Sequence, residues 1–183
     1  MKYTKGLSAP GIREAFGAIT ESKLYVLEEK AVVSATSTVR CLTLPPGALA
    51  PGDAFSIGVY TNVTDYTSGN VIYTLKLGTK SLYGYTEASP DSAFFHHCLL
   101  YGRVATDSTF HCYGTHAGGD AEAADASTSL GMASAALGGS FSRDHIDLSL
   151  ALTVGGAADV TLHDAWVEVK KPTISNQHYV FNV

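Results

Sequence analysis

Charged side chains are scarce in this chain. They make up 16% of its 183 residues, against about a quarter in an ordinary soluble domain. The small surplus is acidic and gives a net charge of −5. Sequence-independent nucleic-acid binding needs a basic surface, so nucleic acid is not an expected partner. Long apolar runs are missing as well. Nothing approaches the roughly 20 apolar residues that span a bilayer as a helix, so no membrane partner is expected. The opening Met1-Lys2-Tyr3-Thr4-Lys5-Gly6 lacks the apolar core of a signal peptide. The expectation is synthesis in a cytoplasm, without Sec export.

Cysteine is equally sparse, with Cys41, Cys98 and Cys112 alone. The odd count and wide spacing fit free, buried thiols in a reducing compartment. A Cys98–Cys112 disulfide across neighbouring strands is the other reading. Chemical motifs are thin. His96, His97, Cys98, His111, Cys112 and His116 gather in sequence, yet no two cysteines stand at the close spacing of a zinc site. Core packing therefore explains them better than a metal. Asp144, His145, Asp147, His163 and Asp164 lack a Gly-x-Ser-x-Gly nucleophile elbow to serve. Gly118-Gly119 and Gly138-Gly139 lack the Lys-Ser/Thr of a phosphate loop. Asn62-Val63-Thr64 matches a glycosylation sequon by chance, given no secretion signal. No catalytic residue, cofactor or metal ligand is expected.

What the chain has instead is a period of two from about residue 36 onward. Phe55, Ile57 and Val59 alternate with Ser56, Gly58 and Tyr60. Val71, Tyr73, Leu75 and Leu77 form a second such run, and Leu148, Leu150 and Leu152 a third. Each predicts a strand with one core face. Pro51-Gly52-Asp53, Ser68-Gly69-Asn70, Ser89-Pro90-Asp91 and Gly155-Gly156 punctuate them as turns. Residues 94–105 carry bulky side chains at both parities, which predicts burial on both faces. In the last strand Val160 and Leu162 share one parity, while Ala165, Val167 and Val169 share the other. A β-bulge near His163-Asp164 reconciles them. Residues 114–140 are rich in Gly, Ala and Ser and predict a long surface loop, with a helical turn around Ala121–Ala126. Many short strands at regular spacing predict a two-sheet sandwich or barrel. Tyr60, Tyr66, Tyr83, Tyr85 and Tyr113 fall near predicted loops and strand ends; a core or interface role is the default reading, and a sugar platform the other.

Both ends differ from this middle. Ser8 and Pro10 are placed to start a short helix whose Ile12, Phe16 and Ile19 share one face. That stripe packs either on its own domain or on a neighbouring subunit. Lys23–Glu28 reads as a first strand or a linker. At the other end Tyr179, Phe181 and Val183 alternate like a strand. They dock on a neighbour by strand addition or complete the chain's own sheet edge. The expected organisation is an arm over residues 1–30, a sandwich over 31–171 and an extended tail over 172–183. Ile12, Phe16, Ile19, Tyr179, Phe181 and Val183 are the candidate interaction residues.

Three segments look familiar in combination. Leu42–Ile57 holds a Leu-Pro-x-Gly corner and a Gly-Asp turn, Tyr73–Thr79 a Leu-x-Leu-Gly-Thr strand, and Val160–Val169 a closing strand. In that order they resemble a jelly-roll domain of tailed-bacteriophage virion proteins, over roughly residues 36–170. The resemblance implies an all-β, two-sheet antiparallel jelly-roll sandwich, here with a short N-terminal helical arm and an extended C-terminal tail. It implies a non-enzymatic structural module, often trimeric, of head decorations, head fibres and tail fibres or spikes. The histidine-rich strand at 94–101 and both arms depart from that pattern. The expected role is a capsid cement or decoration protein in the virion. Its partners are further copies of itself and the major capsid protein or neighbouring virion proteins. A fibre or spike module that binds a host surface glycan is the alternative.

Overall fold

The computed structural model describes residues 19–27, 29–66, 69–88, 94–119, 128–155 and 158–172. Every regular element among them is a strand: β1 (Ile19–Val26), β2 (Ala31–Val33), β3 (Ser37–Leu44), β4 (Ala54–Tyr66), β5 (Asn70–Leu77), β6 (Lys80–Ala88), β7 (Phe95–Val104), β8 (Thr109–Gly119), β9 (Thr128–Ala136), β10 (Ile146–Val154) and β11 (Ala158–Pro172). They form two antiparallel sheets. The larger runs β1-β11-β4-β7-β8-β9, with β2 also pairing with β11. The smaller runs β3-β10-β5-β6.

The period-two runs become strands because each offers a complete apolar face. Phe55, Ile57 and Val59 of β4 are buried, as are Val71, Tyr73, Leu75 and Leu77 of β5 and Leu148, Leu150 and Leu152 of β10. They meet between the sheets in one core with Leu44, Leu100, Phe110, Phe141, Val160 and Val167. At the β3–β4 corner Gly47 and Gly52 take positive φ, 76° and 94°, a region that glycine enters without a Cβ clash. The Asp53 carboxylate accepts the Ala50 N–H at 2.9 Å and closes the turn.

The bulge in β11 is where the sequence places it. Pairing with β4 shifts register between Leu162 and Asp164, so Val160, Leu162, Ala165, Val167 and Val169 are all buried. A smaller irregularity in β3 faces β10 between Leu148 and Ser149 and lets both Cys41 and Leu42 point inward.

Three expectations need correction, and that of free, buried cysteines holds. Ile19 does not end a helix; it begins β1, which pairs from Ile19↔Pro172 to Val26↔Trp166. The free edge of a long strand satisfies every second backbone group of β1, whereas a short helix containing two glycines is marginal. The predicted loop at 114–140 is largely two strands, since β8 runs to Gly119 and β9 fills 128–136. Strand β7 is buried on one face only: His96, Cys98 and Leu100 point in, while Phe95, His97 and Tyr101 point out. The cysteines are free and buried, and Cys98 stands opposite His116 rather than Cys112. The helical turn near Ala121 and the Ser89-Pro90-Asp91 turn lie outside the described residues.

Leu148 is fully buried, flanked by Leu42 on β3 and Leu77 on β5. Leu148→Ala should lower unfolding free energy by about 2–5 kcal/mol in a urea titration, without changing far-UV dichroism.

Candidate functional site

The gathered histidines divide between two faces. His96 and His116 point into the core, and His97 points out. His96 is 2% exposed. Its ring stacks on Tyr73 at 4.6 Å and on Tyr85 at 5.1 Å, and lies 5.8 Å from His116. Its Nε2 pairs with the Tyr83 hydroxyl at 2.9 Å. Tyr85 in turn donates to Glu87 at 2.5 Å. This is an aromatic plug joining β5 and β6 of one sheet to β7 and β8 of the other. Among the described residues no three His, Cys, Asp or Glu side chains converge as metal ligands. Tyr83 is buried and Tyr85 half-buried, so both take the core role that is the default reading and neither is a sugar platform. The side chain of Tyr66 is outside the described set.

Burial governs the protonation of this plug. Desolvation holds His96 far below the ordinary histidine value, at about 3, with His116 and His97 adding to the depression. Desolvation lowers His116 too and pushes the Cys98 thiol up to about 12. The Nδ1 atoms of both buried histidines have no hydrogen-bond partner, so a proton gained there would be neither solvated nor paired. The unfolded chain takes up protons near pH 6.5 and the folded chain only well below it. Stability is therefore complete above about pH 6.5 and declines as pH falls toward the folded-state values. The expected slope is about 1.4 kcal/mol per pH unit for each histidine that titrates. Denaturant midpoints from pH 7.5 to 4.5 should show this loss, and His96→Phe should flatten it.

The outer face of the larger sheet is the only broad surface built from large side chains among the described residues. Register defines its rows. Val26, Trp166, Gly58 and Leu99 lie side by side across β1, β11, β4 and β7; Leu24, Glu168, Ser56, Tyr101 and Tyr113 form the next row. Leu24 is 63% exposed, Val26 51%, Tyr101 41% and Tyr113 56%. The Trp166 indole lies across Gly58, where a Cβ would meet the ring. Glu168 sits at the centre, held by the Ser22 hydroxyl at 2.8 Å and by Lys170 at 3.1 Å. The Ser22 hydrogen bond is the main cause that lowers its carboxyl below the usual range. Toward the other end Tyr60 stacks on Phe95 at 6.1 Å, and His163, raised by the bulge, pairs with Asn62 at 2.5 Å.

Two grooves open on this face. One, of about 510 Å³, lies over β4, β7 and β8 and is lined by Ser56, Tyr101, Arg103, His111 and Tyr113, with Lys170 at its rim. The other, of about 500 Å³, is lined by Leu24, Val26, Asp164, Trp166 and Glu168. Of the sequence-predicted interaction residues, Ile19 is at the start of β1, and its side chain is outside the described set. Ile12, Phe16, Tyr179, Phe181 and Val183 also lie outside the described residues. The triad candidates do not assemble. Asp144 accepts the Ser140 N–H, Asp147 accepts the Thr43 hydroxyl, and His163 is on the outer face with Asn62.

The chain has one tryptophan, so its fluorescence reports this face alone. Gly58→Val should lift the indole into water and shift its emission to longer wavelength by several nanometres, with the core transition retained.

No family profile matches the chain, and no curated protein matches it in sequence. Among solved structures, the CBM2 module of the Lactobacillus casei BL23 phage J-1 evolved Dit is 10% identical with a TM-score of 0.28, over 70% of this chain and 68% of that one. The infectious bursal disease virus VP2 subviral particle is 10% identical with a TM-score of 0.35, over 91% of this chain and 44% of that one. The Gt strain of the same virus gives 7% and 0.34, over 84% and 34%. This chain thus spans less than half of either bursal disease virus chain. Scores of 0.28 to 0.35 fall short of a shared fold.

Proposed function

We propose that this chain is a non-enzymatic virion structural protein of a tailed phage, and within that class a capsid cement or decoration protein. One observation carries the reading. The outer face of the larger sheet turns Leu24, Val26, Val32, Trp166, Leu99, Tyr101 and Tyr113 away from the core. Large apolar side chains gathered on one exposed sheet face around a polar centre mark protein contacts. A neighbouring chain is the natural cover. Strand order supports the jelly-roll reading. Counted as one edge strand, β1 and β2 begin a set of eight once the β8–β9 hairpin is set aside. In chain order the sheets then read 1-8-3-6 and 2-7-4-5, the interleaving of two Greek keys common in capsid domains. Of the familiar motifs, the Pro/Gly corner and Gly-Asp turn join β3 to β4, and Leu-x-Leu-Gly-Thr ends β5.

In this reading the protein is made in the host cytoplasm and joins the virion. Its partners are further copies, as a homotrimer, and the major capsid protein or neighbouring virion proteins. The sandwich takes in β1 as well as 31–171 and so runs from Ile19 to Pro172, with residues 1–18 and 173–183 as contact segments through Ile12, Phe16, Tyr179, Phe181 and Val183. Binding only to the assembled shell would stabilise that shell by linkage. A fibre or spike module that binds a host glycan is the second reading, favoured by the paired rings of Tyr101 and Tyr113 in an open groove.

The test is the number of copies per purified particle, relative to the major capsid protein. Hundreds of copies are expected for cement; a few to tens would move the protein to a fibre, and none would overturn both readings. Leu24→Asp with Val26→Asp should cut particle occupancy at least about tenfold while the isolated chain keeps its β-sheet dichroism.

A further inference from the structure

We infer that the groove over β4, β7 and β8 is a binding site for an anionic saccharide, a sugar bearing carboxylate or phosphate. This inference rests on the second reading, in which Tyr101 and Tyr113 stay open to solvent and are not covered by a neighbouring chain.

The groove has the size of a small-ligand site, about 510 Å³, and its floor is rigid paired sheet. Tyr101 and Tyr113 are cross-strand partners. Their rings stand 5.9 Å apart and tilted by 34°, both open to solvent. Together they form a shallow aromatic cradle suited to the C–H face of a sugar ring, since aromatic side chains combine apolar area with a polar tip. The next cross-strand pair is Arg103 and His111. Both are exposed, and no acidic residue lines the groove. Neither has a hydrogen-bond or ion-pair partner among the described residues, whereas Lys170 at the rim is tied to Glu168. In a chain of net charge −5, the free guanidinium of Arg103 beside paired tyrosines creates a local preference for anions, and the His111 ring adds an N–H donor. The planar fork of Arg103 fits a carboxylate or a phosphate with two parallel hydrogen bonds.

The topology disfavours an extended peptide. Strands β4, β7 and β8 are each paired on both sides, so no backbone edge is free in the groove for strand addition. Any occupant is held by side chains alone. Stacked sugar rings with an acidic substituent match those side chains.

The test is calorimetric titration of the full chain with neutral galactotriose, trigalacturonate and a 6-phosphorylated galactotriose, with oligo-dT as a control anion that carries no pyranose ring. At least one acidic oligomer is expected to bind, weakening as salt rises, with the neutral trimer at least tenfold weaker. The acidic arm that binds tighter identifies carboxylate or phosphate as the recognised group. Tyr113→Ala and Arg103→Gln should each weaken that binding at least tenfold, and Ile72→Ser, at an exposed position on β5 of the other sheet, should leave it unchanged. Equal affinity for neutral and acidic oligomers would overturn the proposal. So would full binding after both groove substitutions, no binding of either acidic oligomer at millimolar concentration, or tighter binding of oligo-dT than of either.

Discussion

The long strand β11 is the element on which everything else depends. It pairs with β4 along one edge and with β1 and β2 along the other, so it joins most of the larger sheet. Its apolar residues change parity midway, and without the irregularity at His163 half of them would face water. One extra residue keeps Val160 through Val169 on the core side. The same residue sets which side chains face out, and so places Trp166 over Gly58 and His163 beside Asn62. Core and outer face are two results of one register shift.

The two sides of the larger sheet treat similar residue types in opposite ways. Inward, His96 and His116 are packed among tyrosines and kept neutral by desolvation. Outward, His111 and Arg103 are exposed beside Tyr101 and Tyr113. The inner set contributes a plug between sheets whose stability depends on its being uncharged. The outer set contributes an open surface that only another molecule can complete. Aromatic and basic residues at period two thus pack on one parity and stay exposed on the other.

Much of this fold is legible in the residues. The alternation at 55–59, 71–77 and 148–152 reads directly because each run has large side chains at one parity only. The bulge reads because Val160 and Ala165 cannot otherwise share a face. The β8–β9 hairpin does not read, because its inward positions include Gly114 and Gly118. A Cβ at Gly114 would meet the Leu99 carbonyl and Leu100, and one at Gly118 would meet Phe94. Close approach of the backbone requires small residues there, and small residues in sequence look like a loop. Strand β7 misleads for the converse reason: its outward Phe95 and Tyr101 are as bulky as core residues. Tyr113 is legible as a candidate contact residue, but its pairing with Tyr101 and the Arg103–His111 pair beside it follow only from strand register. Nor does anything in the residues near Gly58 announce the indole of a distant strand.

The first residue of β1, Ile19, stands opposite the last of β11, Pro172. Chain that precedes the one and chain that follows the other therefore leave from the same end of the same strand pair. Tension applied through both would load their hydrogen bonds one rung at a time, as in peeling, rather than all together in shear. The sheet would open first at that edge, under modest force, while the β4–β7–β8 groove kept its shape. A load spread over the face of the sheet would meet the resistance of the whole sandwich instead.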